Sequence, residues 1–97
     1  MYALVGRVEI KPGQEDATAT MAREHGPTLV GGMSGSSRAY WARSTDDSGK
    51  LIQHSFWLFE TEQDARAAET VFNSLRGMPE APAVFISAEV CEVISQL

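Results

Sequence analysis

The chain has 97 residues, 43% hydrophobic and 22% charged, and its 13 acidic and 8 basic side chains leave a formal charge of −5. That is enough for one globular domain, spanning 1–97, but so small a domain buries only about 60–65% of its unfolded surface, and a dimer interface would help it. The acidic balance and the absence of any Lys/Arg run argue against nucleic acid and anionic membrane surfaces as partners, and a single cysteine excludes an intrachain disulfide or a Cys-based zinc site.

The first strand is predicted over Tyr2 to Ile10. Tyr2, Leu4, Val8 and Ile10 share one face with Gly6, and Ala3 and Val5 share the other with Arg7 and Glu9. This N-terminal stretch lacks the basic flank and long apolar core of a signal peptide, and no apolar run reaches the 18 or more residues of a membrane span, so a cytoplasmic protein is expected. Lys11-Pro12-Gly13 stops the strand. Gln14-Glu15-Asp16-Ala17 then opens a helix with acidic side chains where the macrodipole favours them. Ala17 and Met21, four apart, form its weak stripe towards Glu24 and His25. Gly26-Pro27 is predicted to kink or interrupt it, with Thr28-Leu29-Val30 adding a turn and Gly31 to Gly35 serving as a hinge.

The second strand is predicted from about Ser37 to Ser44 and the third from about Leu51 to Phe59, joined by the five polar residues Asp46 to Lys50 in a longer hairpin loop. Thr61 caps a second helix, with Asp64 as its reciprocal partner, and Ala65, Ala68, Phe72 and Leu75 make the apolar stripe. Gly77 is its stop, with Pro79 beyond. After the linker Pro79 to Pro82 comes a last strand, Phe85 to Ile94, with Ile86, Ala88 and Val90 on one face and Phe85, Cys91 and Val93 on the other. Cys91, flanked by Glu89 and Glu92, reads as a buried inert thiol.

The order β-α-β-β-α-β predicts an α+β, ferredoxin-like domain with an antiparallel sheet. Its strands are apolar on both faces: Tyr40 adjoins Trp41, Phe56 adjoins Trp57, and Leu58 adjoins Phe59. Helices cover one face only, so a second sheet from a partner is the simplest cover for the other.

Three segments carry a family resemblance: Val8-Glu9-Ile10-Lys11-Pro12-Gly13, the stretch Arg38 to Ser44 after the glycine-rich hinge, and Phe59-Glu60-Thr61-Glu62-Gln63-Asp64-Ala65. On these the chain resembles the dimeric α+β barrel superfamily, and within it the antibiotic-biosynthesis monooxygenase-like proteins. The resemblance implies a homodimer whose two sheets pair into a barrel. Members include cofactor-independent oxygenases of aromatic polyketide quinols, haem-degrading enzymes, and small proteins without an established role. Haem-degrading members carry an Asn late in the first strand, a Trp before the second helix and a ligating His within it. Those positions correspond here to Gly6, Phe59 and Ala68 or Glu69, so the resemblance does not extend to that chemistry.

His54, in mid-strand, has the chemistry of a general base near neutral pH, against the commoner role of a half-buried strand histidine with one hydrogen bond. His25 suits a cation at a helix C-terminus. If the hairpin pairs Tyr40 with Ser55 and Arg38 with Trp57, then Arg38, Tyr40, Ser55 and Trp57 share one face and suit a planar, partly anionic aromatic ligand, with Trp41 opposite, near His54. Packing in a core or interface is the competing use of these aromatics. No metal-ligand spacing, dinucleotide fingerprint or phosphate loop is present, so no cofactor or metal is expected. Two readings remain open: a cofactor-free oxygenase or isomerase of an aromatic substrate, and a non-catalytic ligand-binding or accessory barrel.

Overall fold

The computed structural model describes residues 1–31, 35–74 and 81–96. In chain order the elements are β1 (Tyr2–Ile10), α1 (Glu15–Gly31), β2 (Ser36–Thr45), β3 (Leu51–Phe59), α2 (Glu62–Asn73) and β4 (Ala83–Glu92). The strands form one sheet in the order β2-β3-β1-β4, with every neighbouring pair antiparallel. This is the ferredoxin-like βαββαβ arrangement, and both helices lie on the same face of the sheet. Among the described residues, no helix is long and apolar enough to cross a membrane.

The helix-covered face is the core. Leu4, Trp57 and Phe59 of the two central strands meet Ala65, Ala68 and Phe72 of α2, and Leu4 and Phe59 are fully buried. α2 begins where its cap predicts: Thr61 is extended (φ −125°, ψ 154°) and its hydroxyl accepts from the Asp64 N–H at 3.2 Å. Asp64 also lies against Gly35, whose positive φ of 72° and lack of Cβ admit the carboxylate. Leu75, Gly77, Pro79, the hinge residues Gly32 to Ser34 and the His25 side chain lie outside the described residues.

α1 departs from expectation twice. It runs as one helix from Glu15 to Gly31, because Pro27 removes one backbone donor without ending it. Its buried side chain in the first turns is Thr18, not Ala17 or Met21, both of which are exposed. The Thr18 hydroxyl donates back to the carbonyls of Gln14 (2.8 Å) and Glu15 (3.1 Å) and accepts from Arg43 of β2 at 2.6 Å. Arg43 also donates to the Glu15 carbonyl at 2.7 Å and to Gln53 Oε1 at 3.1 Å. A polar clamp therefore seats this end of the helix, which its small side chains could not do by apolar packing.

A bulge changes which face a residue of β4 meets. Between β1 and β4 the register shifts at Arg7/Val8, leaving Ile86 unpaired and half exposed. As a result Phe85, Ala88 and Val90 face the helices together, whereas simple alternation grouped Ile86 with Ala88 and Val90. Cys91 pairs with Ala3 on the opposite face and is half-buried rather than part of the core.

Candidate functional site

β3 is a central strand that sends alternate side chains to opposite faces. Ser55, Trp57 and Phe59 point towards the helices, while His54, Phe56 and Leu58 point to the open face. The hairpin register decides what joins them. Thr45 pairs with Leu51, so Trp41 pairs with Ser55, Tyr40 with Phe56, Ala39 with Trp57 and Arg38 with Leu58. The loop closes through Asp46 N–H on the Lys50 carbonyl (2.9 Å) and Gly49 N–H on the Asp46 carbonyl (3.0 Å), with Gly49 at φ 85°. This is one residue away from the pairing that would gather Arg38, Tyr40, Ser55 and Trp57. Ser55 and Trp57 lie together under the helices, and Arg38, Tyr40 and His54 share the open face. Trp41 joins Trp57, not His54.

Under the helices an aromatic cluster results. The Trp41 and Trp57 rings meet edge-on with centroids 6.1 Å apart, Trp57 meets Phe72 at 6.2 Å and 89°, and Phe72 meets Phe85 at 5.8 Å. The tip of the Phe72 ring rests on Gly6, where a Cβ would stand only 2.5 Å from Cζ. Trp57 is 5% exposed, and its indole N–H has no hydrogen-bond partner among the described residues. Such an orphan donor costs about 1–3 kcal/mol, and native folds satisfy most buried polar groups. The Ser55 hydroxyl, on the same strand face two residues away, is buried too. Among the described strand residues, this face carries charge only at Arg43 and Glu92, near opposite ends of the sheet. Arg43 is already engaged by Gln53, Glu15 and Thr18. The arrangement is a packed aromatic cluster with one hydrogen-bond donor among its rings.

The open face is different in kind. Tyr40 is 55% exposed and Phe56 37%. The His54 ring lies stacked along Phe56 at 6.4 Å, and its Nε2 shares a 2.8 Å hydrogen bond with the Ser44 hydroxyl. Arg7 is the cross-strand neighbour of His54. The sheet itself separates His54 from the Trp57 side.

Trp41, Arg43, Gly6 and Phe72 are the positions that sequence reasoning missed. Only the odd length of the hairpin loop hinted at the first two, and nothing local marks the contact between Gly6 and Phe72.

The residues present do not fit a haem. Phe72 fills the space over Gly6, Phe59 is wholly buried in the core, and the position that the family resemblance gives to a ligating histidine is held by Ala68, a buried methyl group, or Glu69. Among the described residues, no group of three or more His, Cys, Asp or Glu side chains could hold a metal ion.

The likeness to known proteins bears on the fold and the family. No curated protein matches the sequence. Among solved structures, a mutant of MhuD with two manganese protoporphyrin IX molecules bound per active site superposes with a TM-score of 0.65 at 14% identity. That likeness covers 100% of this chain and 98% of the other, and at such identity it speaks for the fold. The family model for antibiotic biosynthesis monooxygenases matches residues 1–70, a span from β1 through most of α2 that includes Gly6, Ser55 and Trp57. The chain belongs to the antibiotic biosynthesis monooxygenase family.

Proposed function

We propose that the protein is a homodimeric α+β barrel that binds a planar aromatic molecule between sheet and helices and oxygenates it without a cofactor. The observation that carries the reading is the unpartnered, buried indole N–H of Trp57 among edge-on aromatic rings. A ligand oxygen placed there would satisfy the donor, and the same N–H would stabilise negative charge growing on that oxygen as the ring is activated. Ser55 and Trp57 are the ligand-binding residues in this reading, with Trp41 beside them. In the overall reaction a phenolic ring and O2 give a quinone and water: one oxygen atom enters the ring, and the other leaves with the ring and hydroxyl hydrogens.

The open face supports the dimer. Four strands about 4.8 Å apart and about 30 Å long present roughly 600 Å² of planar face, so a pair would bury about 1,200 Å², the lower end of stable interfaces. Tyr40, Phe56 and Val84 are exposed large side chains for such a contact. Arg38 and His54 lie on the same face and serve the pairing rather than the ligand.

The porphyrins belong to the MhuD structure and do not carry over, since Phe72 closes the site over Gly6. The second reading, a ligand-binding barrel without turnover, is favoured by a specific observation. Among the described strand residues on the helix-covered face no histidine is present, and the one carboxylate, Glu92, pairs with Tyr2 at the sheet's end rather than beside Trp57. Oxygen uptake with 1,5-dihydroxynaphthalene separates the two. The enzyme reading expects one O2 consumed per coloured hydroxynaphthoquinone formed, without peroxide and well above the protein-free rate. A rate equal to the protein-free control would leave the binding protein.

A further inference from the structure

His54 and Arg7 stand where a second copy of this chain would cover them. We infer that the pairing of subunits through the open sheet face is acid-sensitive: it holds while His54 is neutral and weakens when the imidazole gains a proton beside Arg7. This rests on the reading of that face as the dimer interface.

His54 and Arg7 are direct partners on the two central strands, β3 and β1, and Phe56 and Val5 form the next pair on that face. They lie in the middle of the face, so a two-fold axis through its centre brings both guanidinium groups and both imidazoles together. In the single chain the two side chains are only half-buried, and water still reaches them. A covering sheet removes that water, and a charge without a counter-charge loses most by it.

The other charged and titratable groups of the face leave His54 without one. Glu9, diagonal to His54 on β1, is held by Lys50 at 3.3 Å. Glu89 and Cys91 belong to β4, and Glu89 lies opposite Val5, nearer to Arg7 than to His54. Arg38 and Tyr40, from β2, add a cation and a phenol. Directly across from the imidazole stands the Arg7 guanidinium, and like charges so placed repel.

The single chain tolerates the proton. Histidine is the side chain that changes charge between about pH 5 and 8. His54 Nε2 and the Ser44 hydroxyl lie 2.8 Å apart, and a hydroxyl can accept as well as donate, so their bond survives protonation. The cost falls on the pairing. The separated subunit takes up the proton more readily than the pair does, so association must weaken as pH falls.

Sedimentation of the full chain at about pH 8 and about pH 5.5, with circular dichroism at both, tests this. The dimer dissociation constant is expected to rise about 100-fold at the lower pH, tenfold for each imidazole, with the fold intact. His54→Gln, whatever its own affinity, should pair equally at both pH values. His25→Gln removes the other histidine and should respond as the wild type does. Arg7→Gln removes the opposing cation and should respond less. An equal response in wild type and His54→Gln would overturn the inference and leave the dimer standing. If His54→Gln does not fold, an undiminished response in Arg7→Gln would overturn it, as would wild-type association that is the same at both pH values. Unfolding of the wild type at the lower pH would place the acid effect in the fold and overturn it too. A monomer at the higher pH at every concentration would remove the dimer itself, and the inference with it.

Discussion

The two faces of this sheet are made from the same strands, residue by residue in alternation, yet they solve different problems. Towards the helices, Leu4, Trp57 and Phe59 meet α2 and close to exposures of 5% or less. On the other side Tyr40, Phe56 and Val84 remain exposed, with none of the described elements above them. The first face is complete except for one hydrogen-bond donor, and the second is complete in itself only if something apolar lies on it. An unsatisfied donor calls for a small polar group, whereas an exposed apolar sheet calls for another surface. On the proposed reading, ligand and partner would therefore meet opposite sides of one four-stranded sheet.

The strongest way to break the comparison is to damage the helix-covered face alone. Phe72 contacts Gly6, Trp57 and Phe85. Phe72→Ala should cost about 3–5 kcal/mol, measured by chemical denaturation. For a domain with about 5–15 kcal/mol in total, that leaves it barely folded. A loss below 1 kcal/mol would mean that the cluster is looser than its geometry.

Phe56→Asp tests the other face. A carboxylate at this 37%-exposed position should change the stability of an isolated subunit by only about 0.5 kcal/mol. In a face-to-face dimer it would bury charge against the partner and weaken association about 100-fold, by the cost of losing an interface anchor. Sedimentation should show wild-type dimers and mutant monomers of 10.6 kDa. Unaltered association in the variant would move the interface elsewhere.

How much of this was legible in the sequence depends on how far a residue's partners lie along the chain. β1 ends at Lys11-Pro12 and β3 begins after the polar loop Asp46 to Lys50, and the expected bounds of both match residue for residue. That Ser55 and Trp57 share a face follows from their being two apart in one strand. That Tyr40 does not join them requires the hairpin register, which a five-residue loop leaves open by one residue, and one residue inverts every side chain. The bulge at Ile86 inverts β4 in the same way, and an extra residue within an alternating apolar run leaves no mark. The Phe72 contact with Gly6 links residues far apart in the chain, so no local pattern could announce it. Elements, and faces shared within one strand, were therefore readable, whereas the faces that register and bulges decide were not.

Arg43 offers a finer test, since it fastens the weakly apolar α1 to the helix-covered face. Arg43→Met keeps most of the stem and removes the hydrogen bonds to Gln53, Glu15 and Thr18. The expected loss is about 1–2 kcal/mol, or roughly 5–10 °C in melting temperature. Amide exchange should rise in the first turns of α1 and stay unchanged in α2. Equal loosening of both helices would show that the clamp is not local.

The smallest effect lies in the loop that sets the register, and so decides which residues each face receives. The Asp46 carboxylate accepts from the Lys50 N–H at 2.9 Å, the Ser48 hydroxyl at 2.8 Å and the Ser48 N–H at 2.9 Å. Those bonds, the Lys50 amide first, together with the Lys50 charge, hold its pKa below the ordinary 3.8, outweighing a small desolvation that pushes it up. A carboxylate lowered in the folded state stabilises the fold above its unfolded pKa, and that contribution is lost as pH falls through the folded value. Asp46→Asn should therefore melt slightly below wild type at pH 7, by less than Arg43→Met does. The gap should close as both are titrated below pH 3.8, where the wild-type carboxyl becomes neutral like the amide. A gap that persists at the lowest pH would trace to the shape of the side chain, and the charge of Asp46 would then have no part in holding Trp41 on the side of Trp57.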